Sequence, residues 1–310
     1  MAPTRLMGGA FVIAFALALA SVGTAQELPG DAAGVRAPVS RARRYQMNAR
    51  VRPLLFWIRR NDVGAARITW RGDPHGAHGY ELLVGSDPLK APRRINRWGY
   101  IAEDVSGVGA TIVGVMTESN AESVEEAEQL LARAGQGGYA FHAIRATVSG
   151  EQAEAEVVLL RSEQDLTFRE LEPLLARVSS VDAPRRVLRI PPATTPGFLC
   201  AVAALVRETV SPSLPPAGRR ARPAQPRTYV YNGRLYDLTM RSLEEHADFA
   251  SGGRRYGPAL EAEFEAFNRT TRHRTKFSIV YGRAGELAGV PLRIVFRPKW
   301  WFEAELVLTD

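Results

Sequence analysis

The chain has 310 residues and a formal charge of +7, from 40 Lys and Arg against 33 Asp and Glu. A chain of this length can bury roughly 75% of its unfolded surface in one or two domains, and its one cysteine, Cys200, excludes an intrachain disulfide framework. The charge does not point to nucleic acid. The basic residues are Arg apart from Lys90, Lys276 and Lys299, and the clusters Arg41-Ala42-Arg43-Arg44 and Arg219-Arg220-Ala221-Arg222 carry no interleaved aromatics to stack on bases.

In chain order, Arg5 precedes an apolar run over 10–20 that ends in small residues through Gly23 and Ala25. This is the pattern of a secretory signal over 1–25, cleaved after Ala25 and leaving no stable membrane span. The expected location is a periplasm or the extracellular space. Residues 26–52 hold Gly, Pro, Ser and Arg with little apolar periodicity and read as a mobile leader.

Residues 53–210 read as a β meander interrupted by three helices. A hairpin is expected from 54–58 and 66–70 around Asn61-Asp62, followed by strands over 80–84, 95–105, 110–116, 139–148 and 153–160. The first helix opens on the capping box of Ser123 and Glu126 and stops at Gly135. The second spans 167–178 with Phe168, Leu171, Leu174, Leu175 and Val178 on one stripe, broken by Pro173. The third takes Thr195 as N-cap and Pro196 as its first residue, and presents Phe198, Leu199, Val202, Leu205 and Val206 to a core. Cys200 falls on this pattern, which favours a buried thiol over a reactive one.

Residues 211–227 carry Pro212, Pro215, Pro216, Pro223 and Pro226 with several Arg and read as an extended linker. Beyond it, 228–310 reads as a six-stranded antiparallel region able to complete the same sheet. Asn232-Gly233 marks a type I′ hairpin turn pairing Tyr229 with Tyr236. Aligning apolar faces pairs Phe264 with Ile279, and in the terminal hairpin Phe296 with Phe302, Ile294 with Ala304 and Leu292 with Leu306. That register sets Arg293 opposite Glu305 and Arg297 opposite Trp301 on the outer face. The fold class is therefore mainly β: antiparallel meanders curved into a barrel-like or half-barrel sheet, with about three helices packed on it.

Few residues suggest chemistry. His75 and His78 share a Gly-rich loop with Asp73, a weak metal-ligand pattern without a third fixed ligand. His246 and His273 read as loop residues, and Glu261, Glu263 and Glu265 as a solvated strand face. No nucleophile elbow, zinc-protease helix or phosphate-cradling loop is present, so the residues lean away from an enzyme and imply no cofactor. A hydrolase without a recognisable motif is the third choice. The aromatics are the better lead. Trp301, with Arg297 and Trp300 beside it, forms the candidate binding surface. Two readings follow: an exported, non-catalytic binder whose curved sheet holds an apolar or lipid-like small molecule, or an envelope protein that docks another protein.

Overall fold

The computed structural model describes residues 38–52, 57–72, 78–91, 96–107, 109–117, 139–162, 166–168, 185–210, 223–299 and 302–310. Its first half comprises strands β1 (Val39–Val51), β2 (Ile58–Gly72), β3 (His78–Ser86), β4 (Trp98–Ser106), β5 (Gly109–Thr117), β6 (Tyr139–Ser149), β7 (Gln152–Ser162) and β8 (Arg185–Arg189). A two-residue strand, β9 (Thr195–Pro196), leads into helix α1 (Phe198–Val210). The second half comprises β10 (Arg227–Tyr231), β11 (Arg234–Ser251), β12 (Arg254–Asn268), β13 (Arg274–Gly282), β14 (Pro291–Lys299) and β15 (Phe302–Leu308).

All of these strands form one sheet, in the order β8 to β1, then β15 back to β9. Two meanders are thus joined where the first strand pairs with the last, Met47 opposite Leu306 and Ala49 opposite Ala304. All neighbours are antiparallel except β9 and β10. The sheet rolls until its ends approach. Gly233, at φ 60° in the β10–β11 turn, stands where an added Cβ would be 3.2 Å from that of Ala155 on β7 and 3.4 Å from that of Arg186 on β8. The interior is filled by side chains from both halves, including Ile112, Ile144, Tyr229, Leu238 and Phe264, with Ala201 and Leu205 of α1 among them. This is a mainly β, barrel-like roll with a helix packed against its inner face.

Several expectations need correction. Among the described residues there is one α-helix, not three: 123–134 lies outside them, and of 167–178 only Thr167 and Phe168 are described. The surviving helix starts at Phe198, because Thr195 and Pro196 pair with Tyr229 and Val230 instead of capping it. The signal over 1–25 lies outside the described residues, as does most of the linker. From 39 onward the supposed leader is the central strand β1, hydrogen-bonded on both sides. Its alternation of Tyr45, Met47, Ala49 and Val51 with polar residues is a half-buried strand pattern hidden between arginines. The expected turn around Asn61-Asp62 is a bulge within β2. Met47 pairs with Gly64 and Ala49 with Arg60, Asp62 takes a positive φ of 55°, and the Asn48 side chain accepts its N–H at 3.1 Å.

Two registers are slipped by two residues, which keeps the predicted faces. Phe264 pairs with Phe277, not Ile279, because Asn268 Oδ1 accepts the N–H groups of Thr270 and Thr271 and closes the turn one residue earlier. In the terminal hairpin Phe296 pairs with Ala304 and Ile294 with Leu306; the ladder is irregular between Phe296 and Lys299, where Pro298 has no N–H to give. Arg293 accordingly meets Glu261 at 3.1 Å, and Glu305 meets Arg59 at 3.0 Å. His246 lies within β11, bonded to Glu261 at 2.9 Å, and Glu265 is buried against Arg241 and Arg274. Among the described residues no helix is long and apolar enough to cross a membrane.

Candidate functional site

Helix α1 has two apolar faces. Cys200, Ala201, Leu205 and Thr209 are buried in the roll, while Phe198, Leu199, Val202 and Val210 are half-buried and line a void. The helix is pinned at both ends. At its start, Glu103 of β4 is fully buried and accepts the backbone N–H groups of Leu199 at 2.9 Å and Cys200 at 2.8 Å. Those donors have no partner within the helix, and a carboxylate there also meets the positive end of the helix dipole. Gly197, at φ 99°, lets the chain turn in beside that carboxylate, where a Cβ would collide with it. Near the helix end, the Thr209 hydroxyl lies 2.6 Å from the Tyr281 hydroxyl of β13.

Between the half-buried face of α1 and the inner face of the sheet lies a pocket of about 530 Å³. Its sheet wall is formed by Ile279, Ile294, Phe296 and Leu306 on one side and Ile68 and Leu82 on the other. The end near the start of α1 is aromatic: the Phe198 ring stands 5.7 Å from Phe277 at 68°, edge to face. The titratable groups line the wall formed by β1 to β3, in a row that runs on from Tyr80 to its pairing partner Glu103. Arg41, Trp70 and Tyr80 lie on three neighbouring strands in one row, Arg41 paired with Trp70 and Trp70 with Tyr80. Arg207 of α1 donates to the Tyr80 hydroxyl at 2.9 Å, and the Arg41 guanidinium sits 4.6 Å over the Trp70 ring. Burial raises the Tyr80 hydroxyl, with Arg207 pulling the other way. Arginines and a phenol bind and orient; they supply neither a nucleophile nor a base at neutral pH.

Of the expected site residues, Arg297 and His78 are described, and neither lines this pocket. Trp300 and Trp301, and with them Asp73 and His75, lie outside the described residues. Arg297 is on the opposite face of β14 from the pocket residue Phe296, ion-paired with Glu303 and 5.3 Å over the Trp57 ring. It falls in the irregular part of the ladder, and its expected partner Trp301 lies outside the described residues. His78 starts β3 and meets Tyr80 edge to face at 6.0 Å. No group of three or more His, Cys, Asp or Glu among the described residues could hold a metal. The pocket's polar groups were missed because Arg41 lay in the supposed leader and Tyr80 and Arg207 are 127 positions apart. The one local hint was Arg207, a charge in the last turn of an apolar helix.

No family model matches the chain, and no curated protein matches it. Among solved structures, a β-barrel-like protein of the domain of unknown function DUF1849 from Brucella abortus aligns with a TM-score of 0.46 at 9% identity, over 89% of this chain and 98% of that one. An identity this low transfers no residue roles.

Proposed function

We propose that the protein is an exported, non-catalytic binder that holds an apolar or lipid-like molecule between α1 and the inner face of the sheet. The observation that carries this reading is the pocket itself. Protein cores are close-packed, whereas between α1 and the sheet the chain leaves a partly open cleft of about 530 Å³. A cleft of that size, with mostly apolar walls and a few polar groups, matches the usual form of a small-molecule site. Lining it with Ile, Leu, Phe and Val leaves apolar surface that an apolar ligand would remove from water. Export rests on the apolar run over 10–20 and the small residues behind it.

Native mass spectrometry of the protein purified from its own host tests the reading, together with Nile red titration after organic extraction. The expected result is a co-purifying small molecule and saturable Nile red fluorescence after its removal. A ligand-free protein that gives no saturable signal would overturn it.

A further inference from the structure

The arginines of this chain are mostly matched to carboxylates. Arg71 meets Glu81 at 2.6 Å, Arg293 meets Glu261 at 3.1 Å, and Arg274 and Arg297 pair with Glu265 and Glu303. The two arginines that line the pocket differ. Arg41 donates to the backbone carbonyl of Glu286 at 3.2 Å and Arg207 to the Tyr80 hydroxyl, and neither has a carboxylate partner among the described residues. Both line the pocket, Arg41 two strands away from the Tyr80 whose hydroxyl Arg207 holds. Burial and the neighbouring Arg43 push the Arg41 guanidinium down from its usual value. A guanidinium stays charged in such a place, so the shift expresses positive charge partly removed from water without a counter-charge.

From Phe198 to Arg207 the helix advances roughly 14 Å at its usual rise per residue. The pocket thus has an aromatic, apolar end and a cationic wall, and it suits a molecule with an apolar part and a negatively charged part. Resting on the pocket reading above, we propose that the ligand is an anionic amphiphile. Its carboxylate or phosphate is held by Arg41 and Arg207, and its apolar chain lies along α1 toward Phe198 and Phe277. A guanidinium fork favours planar or tetrahedral oxyanions, to which arginine hydrogen-bonds in pairs.

The test is displacement of Nile red from the extracted full chain by decanoate, decyl phosphate and decanol, which share a tail and differ in head. The expected preference for at least one anionic head over decanol is about tenfold, shrinking with added salt. In the Arg41→Gln/Arg207→Gln double variant that ratio should fall to within about threefold. The two anionic arms separate a carboxylate-bearing from a phosphate-bearing ligand. Equal binding of all three by the unaltered chain would overturn the anionic head while leaving the apolar pocket standing. A preference that survives the double variant would overturn the assignment to these arginines, and no binding of any of the three would overturn both readings. Should the double variant melt early, Arg207→Glu alone carries the test: it places a negative charge at an exposed position of α1 and should reverse the preference toward decanol.

Discussion

The Glu103 carboxylate and the Cys200 backbone N–H, 97 positions apart, meet at 2.8 Å where β4 passes beneath the start of α1. This contact orients the helix that forms one wall of the pocket, and it gives stability a pH dependence. Burial raises the Glu103 carboxyl from the ordinary 4.5 to about 7, with the N–H groups of Cys200, Leu199 and Phe198 offsetting only part of the rise. The folded chain therefore keeps a proton that the unfolded chain releases. The stabilising contribution of this proton is fully present below the unfolded value of 4.5 and is lost as pH rises through the folded value of about 7. Across that window the loss is about 3 kcal/mol. Urea unfolding at about pH 5 and about pH 8 checks it. The unaltered chain should lose more stability on going to the higher pH than Glu103→Gln does; equal losses would show that Glu103 does not titrate in this range.

Gly197→Ala should destabilise the chain by about 2–4 kcal/mol, because the new methyl needs a backbone conformation that L residues rarely adopt and meets the buried Glu103 carboxylate. Thermal melts measure the loss. A change as small as that of an exposed surface substitution would show that the entry to α1 can relax away from β4.

Leu292→Ala and Ile294→Ala separate packed core from pocket wall. Leu292 is fully buried and should cost about 2–5 kcal/mol through the cavity it leaves. Ile294 is half-buried and already borders the void, so its loss should cost less, about 1–2 kcal/mol. Denaturant midpoints for the two variants decide the order, and a reversed order would show that the pocket collapses around Ile294.

Val202→Trp should fill the pocket from the helix side without breaking a hydrogen bond, since Val202 is half-buried and lines the void. Nile red affinity should fall about tenfold or more while the melting temperature holds within a few degrees. Unchanged dye binding would place the dye, and with it the proposed ligand, outside this pocket.

Local signals determined a large part of this fold, because strand faces and two-residue turns are encoded within a few neighbours. Asn232 and Gly233 take the positive φ values of a type I′ turn, which brings Tyr229 opposite Tyr236 as read from the sequence. Alternation also assigned Ile294 and Phe296, with Ala304 and Leu306, to one face. It left the register open by two residues, since a slip of two preserves the face and only the turn or bulge chooses between the alternatives. Tertiary pairing decided the rest. β1 is a strand because β2 and β15 flank it, although its first inward positions are arginines, and β11 is interrupted by register shifts that break its alternation. The pocket brings together Arg41, Tyr80 and Arg207, and the helix cap brings Glu103 to Cys200. Hydrogen bonds and charge in a rolled sheet act across space, so contacts between residues this distant in the chain leave almost no trace in local sequence pattern.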